Sequence, residues 1–186
     1  AKDTPAFIAN RIGTFSIMHL FNNVQNYGLN ITEIDKLTGT LIGRAKSATF
    51  RTADVVGLDT LVHVANGIKD STNDEANDMF QIPGYLKKMI ENGWLGSKTK
   101  QGFSKKAVVD GKKTFPTLDF ETMEYTLDDK PKFGVLEKTK GKSLKDRMPI
   151  LLNDSGKVGD FFKASMFALF WYSSNRIPEI SDQIYK

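Results

Sequence analysis

Residues 49–68 constrain the fold of this chain more than any other stretch. Phe50, Val55, Leu58, Leu61, Val62 and Ala65, with further apolar residues between them, recur at helical spacing and cover most of the circumference. A helix apolar nearly all round must lie centrally or be shared with another domain or subunit. The rest of the chain surrounds such an element with more helices. Phe7, Ile8, Ile12, Phe15, Met18 and Val24 predict a long helix over 5–27, with Gly28 as its C-terminal cap. Pro5 suits a first helical turn, where its missing N–H costs nothing, and Asp3 or Thr4 can cap that turn. Thr32 is expected to cap a helix over 33–37, with Asp35 as its capping-box partner. Residues 38–47 read as a loop, and Pro83 starts a fourth helix that Gly93 ends.

The texture changes after Gly93. Residues 93–113 are rich in Gly and Lys, and Val108-Val109-Asp110-Gly111 signals a hairpin, because Asp-Gly tolerates a tight primed turn. Short alternating runs over 115–127 complete a small β appendage that ends at Pro131. Residues 132–139, 144–152 and 158–174 predict three more helices. The last is strongly aromatic, and Pro178 is expected to break or kink it before a continuation over 179–185. The expected class is therefore mainly α: a helical bundle with a small β-hairpin appendage.

Composition narrows the function. The chain has 186 residues, 40% hydrophobic and 26% charged, which argues for a globular domain rather than disorder. No apolar run approaches the ~20 residues of a membrane span. Residues 7–21 are no signal peptide, since they carry Asn10, Arg11 and His19 and no basic segment precedes them. The absence of cysteine excludes disulfides, thiolate zinc sites and cysteine nucleophiles, and leads us to expect a cytoplasmic location. A net charge of +4 permits an anionic ligand without demanding nucleic acid.

No hydrolytic or metal motif stands out. His19 and His63 sit mid-helix without a carboxylate placed by spacing, no HExxH is present, and Gly39 to Gly43 lacks a P-loop lysine. No GxGxxG follows a strand, so neither cofactor-binding nor metal-binding residues are expected in this chain. Lys98 and Lys100, among the glycines of 93–103, can either cradle an anion or line a solvated connector, and the composition favours the connector. The lysines from Lys98 to Lys113 read as a solvated face, because Phe103 is too little aromatic support for a nucleic-acid surface. Asn10 and Arg11 are the sharpest candidates. They interrupt an apolar run and need partners, in the protein or in a ligand. An asparagine at a helix start can donate its amide N–H to a substrate carbonyl or developing oxyanion, or simply cap backbone. A polar face at the very start suggests that the first half of its site lies on a preceding segment, and the uncapped end at Lys186 suggests a longer natural chain.

Three motifs occur in a telling order. Asp3-Thr4-Pro5-Ala6-Phe7-Ile8-Ala9-Asn10-Arg11 resembles the opening of the C-terminal domain of 3-hydroxyacyl-CoA dehydrogenases, usually Asp-x-Pro-Gly-Phe-aliphatic-x-Asn-Arg. Asp54-Val55-Val56-Gly57-Leu58-Asp59-Thr60 is similar to that family's central helix, and Gly96-Ser97-Lys98-Thr99-Lys100-Gln101-Gly102-Phe103 to its closing motif. The resemblance implies a helical domain over 1–104, a β connector over 105–131, and a helical segment over 132–186 leading into a second helical domain. It also implies an NAD-dependent oxidation of 3-hydroxyacyl-CoA in fatty-acid β-oxidation, in longer members often joined to an enoyl-CoA hydratase module. An upstream Rossmann domain would bind NAD and supply a histidine base with its orienting glutamate. Asn10 would contact the reacting end of the substrate, as the catalytic and substrate-binding residue of this part. The fragment alone is expected to be inactive. A second helical domain or a homodimer partner would complete the assembly, and a non-catalytic assembly module is the competing reading. The triplet Asn175-Arg176-Ile177 repeats Asn10-Arg11-Ile12, but Pro178 follows it at once and it is not taken as a second site. Three positions depart from the family pattern. Ala6 replaces glycine, Gly43-Arg44-Ala45-Lys46 lacks the usual Gly-Pro, and Ser104 replaces an aromatic. Arg44 and Lys46 are left to contact CoA phosphates or an adjoining domain.

Overall fold

The computed structural model describes residues 2–183. Among these residues, eight α-helices and two short antiparallel strand pairs surround one continuous apolar core. Helix α1 (Ala9–Asn23) runs into a 3-10 turn, Val24–Tyr27, that Gly28 closes at φ 57°. The expected start is corrected. Pro5 does not open the helix: the Phe7 amide bonds the Thr4 carbonyl at 3.0 Å, making a β-turn across Pro5 and Ala6, and α1 begins at Ala9 without a side-chain cap. Ala6 (φ 64°) and Phe7 (φ 50°) are both left-handed, which a helical turn cannot contain. Proline followed by a left-handed residue is the pattern of a type II turn, which explains why the resembled motif carries glycine at this place.

Helix α2 (Ile31–Thr38) is capped by Asn30 in a reciprocal box with Glu33, two residues earlier than expected from Thr32. Asp35 is thereby released for another task. It accepts the backbone N–H groups of Thr49, Phe50 and Arg51, the orphan donors at the start of α3 (Phe50–Val56).

The single helix expected over 49–68 is two. Gly57, at φ 97°, separates α3 from α4 (Leu58–Ser71). The break changes what is buried. Asp54 goes inside at 1% exposure while Val55 and Val56 stay exposed, so apolar character alone misjudges this stretch. In α4, Leu58, Leu61, Ala65 and Ile68 form an ordinary one-sided stripe, and His63 faces solvent. Helix α5 (Gly84–Glu91) begins after Pro83, and Gly93 follows in the left-handed region, as expected.

Strands β1 (Ala107–Val109) and β2 (Lys112–Thr114) pair around Asp110 (φ 50°) and Gly111 (φ 73°), the two positive angles of the primed turn foreseen there. Strands β3 (Thr117–Leu118) and β4 (Tyr125–Thr126) form a second pair. Helices α6 (Gly134–Thr139), α7 (Leu144–Leu152) and α8 (Lys157–Ile180) follow. Helix α8 runs antiparallel to α1: Tyr27 meets Phe161, Phe15 stacks on Tyr172 at 3.9 Å, and the Lys2 amide bonds the Ile180 carbonyl. Pro178 does not end α8. It lies in the last turn, which Lys2 and Arg11 hold by tertiary bonds to the Pro178 carbonyl and to Glu179. The helix stops at Ile180, where Ser181 turns extended, so the continuation expected to Tyr185 is absent over 181–183, and 184–185 lie outside the described residues. No helix among the described residues is long and apolar enough to cross a membrane.

Candidate functional site

The site grows from two faces of α1. The inward face carries Arg11, fully buried. A lone guanidinium there would be prohibitive, so the fold surrounds it: Nε donates to the Tyr172 hydroxyl at 2.7 Å, Nη2 to Asp74 at 2.7 Å, and Glu179 stands at 3.0 Å. Burial pulls the Arg11 pKa down, but Asp74 and Tyr172 outweigh it and hold the group charged. Arg176 joins the same cluster, 3.5 Å from Asp74 and 2.8 Å from Glu179. The two Asn-Arg-Ile triplets thus converge. Each buries its arginine against Asp74 and exposes its asparagine. Arg11 is a structural anchor between α1 and α8, and the partner that sequence reasoning required for it comes from the protein.

The outward face carries Asn10, which is exposed and makes no side-chain hydrogen bond among the described residues. Its amide can serve a ligand without breaking an internal bond. Further along α1, Ile12 and Gly13 line two adjoining hollows, and Asn10 lines neither. One, of about 540 Å³, lies between α1 and α8 against Phe170 and Ile177. The other, of about 290 Å³, reaches Ser16, Arg44 and Leu169.

The second and third motifs form a latch. The Asp54 carboxylate accepts the N–H groups of Phe103 and Ser104 at 2.7 and 2.9 Å and the Ser104 hydroxyl at 2.9 Å. A Cβ at Gly96 or Gly102 would collide with Asp54, so both glycines are there for close approach. Phe103 then packs between Phe21 and Phe50, at 4.9 and 4.7 Å. Lys98 is committed to Asp59, 2.5 Å away, so the glycine-lysine motif works as a connector in this fold. Ser104, where the family pattern has an aromatic, supplies a hydroxyl to the latch. Sequence reasoning missed Asp74 and Tyr172 and gave Asp35 and Asp54 other roles. A carboxylate inside an apolar helical run was the signal available for Asp54.

The histidines stay apart from Asn10's face. His19 is half-buried against Phe15, which lowers its pKa, and His63 is exposed. Among the described residues no group of acidic and histidine side chains is placed to hold a metal. The strands among the described residues are two antiparallel pairs.

A latch of aspartate on glycines and an asparagine exposed on the first helix mark this helical domain. Residues 7–106 match the family described as 3-hydroxyacyl-CoA dehydrogenase, C-terminal domain, and the chain belongs to this family. It is 42% identical over its whole length to a Bacillus subtilis protein named "Probable 3-hydroxyacyl-CoA dehydrogenase", of which it spans 23%. A Deinococcus radiodurans protein of the same name is 46% identical over 106 residues, 57% of this chain and 30% of that protein. A Rickettsia prowazekii protein provisionally named fatty acid oxidation complex trifunctional enzyme is 24% identical over 186 residues, 99% of this chain and 24% of that protein. The chain therefore spans about a quarter of the length of these relatives. No solved structure matches it.

Proposed function

We propose that this chain is the substrate-side part of an NAD-dependent 3-hydroxyacyl-CoA dehydrogenase, oxidising 3-hydroxyacyl-CoA to 3-oxoacyl-CoA in fatty-acid β-oxidation. The exposed, internally unbonded amide of Asn10, on the open face of α1, carries this reading. In it, the Asn10 N–H donates to the reacting oxygen of the substrate, and the donor is preorganised because Arg11, one residue on, locks the helix to α8. The hollows beyond Asn10, lined by Ile12 and Gly13, shelter the ligand from water. NAD belongs to an upstream Rossmann domain of a longer polypeptide, so this part alone has no turnover. The division into a helical domain over 1–104, a connector over 105–131 and a lead into a second helical domain is part of this proposal. The lack of cysteine supports a reducing cytoplasm.

In the polypeptide extended by the upstream domain, Asn10→Ala is expected to lower kcat/KM about 100-fold. Unchanged turnover at unchanged stability refutes the role. Assembly is a compatible second reading, favoured by Phe167, Phe170 and Trp171, three large apolar residues exposed on α8. Sedimentation of the isolated chain decides whether they pair with a second copy.

A further inference from the structure

Arg44 is a half-buried cation with no carboxylate partner among the described residues. It sits where the family pattern has proline, in the loop after the 3-10 turn Thr40–Ile42. Its guanidinium is half-buried in the smaller hollow beside α1. No carboxylate pairs with it among the described residues, and its only side-chain bond is a long one, 3.4 Å from Nη2 to the Ser16 hydroxyl oxygen. Burial alone lowers its pKa, with no neighbour to offset that cost. By contrast, Arg11 and Arg176, the buried arginines of the core, each touch carboxylates. A partly desolvated guanidinium left this way is costly unless an anion completes it.

Gly13 makes an independent point about the same hollow. A glycine in the middle of a helix costs about 0.5–1 kcal/mol relative to alanine. A Cβ on Gly13 would meet no atom of the described residues within 4 Å beyond its own turn of helix, so internal packing does not require the glycine. The backbone there is left bare toward the hollow, which suits close approach by a ligand. Ser16 accepts from Arg44 and keeps its own proton to donate. Thr52 and Ser47 are spent on each other and on the Ala48 carbonyl, so Arg44 and Ser16 are the donors that remain. Asn10 stands one turn before Gly13 on the same helix, and Ser16 lies about 9 Å beyond Asn10 along the axis.

We propose that Arg44 and Ser16 bind an anionic group of the acyl-CoA substrate, laid across Gly13 with its reacting end at Asn10. The anion is a CoA phosphate or a carboxylate at the far end of the acyl chain; both present oxygens to a guanidinium fork. This proposal rests on the substrate-side reading above.

The test is titration of the whole chain, followed by NMR, with coenzyme A, 3′-dephospho-coenzyme A and adipate as separate probes. Saturable shifts at the Ser16 amide and the Arg44 side chain are expected at millimolar concentration. Arg44→Gln should weaken binding about tenfold or more. Gly13→Leu, which fills the hollow from an exposed helix position, should do the same with α1 still folded. Response to coenzyme A with loss in the dephospho form assigns the 3′-phosphate, equal response assigns the diphosphate, and response to adipate alone assigns an acyl-end carboxylate. Each supports an anion site. No saturable shift with any probe, or equal affinity in Arg44→Gln, overturns it. So does a finding that Arg44→Gln weakens only association with an upstream domain. Asn10→Ala turnover is a separate readout: it can fail while the anion site stands, and the reverse.

Discussion

Replacing Asp54 by alanine removes the acceptor on which the closing motif hangs. Three bonds end on this carboxylate: two backbone N–H groups and one hydroxyl, at 2.7 to 2.9 Å. The Ser104 hydroxyl can turn to water, but the Phe103 N–H is buried and donates to Asp54. An unsatisfied buried donor costs about 1–3 kcal/mol, and the lost charge-assisted bonds add a similar amount. Burial of the charge works against this, since it raises the Asp54 pKa despite the donors. A net destabilisation of about 3–4 kcal/mol is expected, a large part of the ~5–15 kcal/mol of a typical domain. Asp54→Asn keeps one acceptor oxygen and should cost about half as much. Urea unfolding followed by circular dichroism measures both. Amide exchange at Phe103 should accelerate even where the rest of the core stays protected. A cost below ~1 kcal/mol for Asp54→Ala, with Phe103 exchange unchanged, refutes the latch.

Two further outcomes follow from the geometry. Burial pushes the Asp35 carboxyl up to about 6, outweighing the three N–H donors of Phe50, Arg51 and Thr49. The folded state therefore holds this proton more tightly than the unfolded state, so the contribution of Asp35 to stability increases as pH falls from about 7 to about 5. Asp35→Asn should flatten that slope by on the order of 1–2 kcal/mol, allowing for partial exposure, in urea melts across the range. Ala6→Gly should stabilise the fold, because Ala6 sits at φ 64°, where an L-residue loses about 1–2 kcal/mol. The extra freedom of glycine in the unfolded chain returns part of this, leaving a gain of about 0.5–1 kcal/mol in the same urea assay.

Much of the architecture was legible because it is local. Gly28, Pro83 and Gly93 mark helix ends through backbone preferences that act within a few residues, and Asp110-Gly111 sets its own turn. Asn10 was legible as a candidate because a polar residue stood in an apolar run beside a motif. What it was for depended on its neighbour. Asn10 and Arg11 are adjacent in sequence, but one is exposed and one fully buried, a consequence of the roughly 100° turn per helical residue. Only the packing of α8 against α1 shows that Arg11 is an anchor, since Asp74 and Tyr172 lie 63 and 161 residues away.

The same division runs through the aspartates. Local rules made Asp35 a capping-box partner and left Asp54 within an apolar helix. In the folded chain Asp35 starts α3, and Asp54 holds a loop 49 residues on. Helical periodicity, turn residues and motif order are enough to specify a mainly helical family domain, because each depends on near neighbours. Which charges are buried, which helix breaks, and which face is left open to a ligand depend on contacts between distant segments. Those contacts exist only once the chain has closed around its core, where a low dielectric makes every unpaired polar group expensive and so decides its partner.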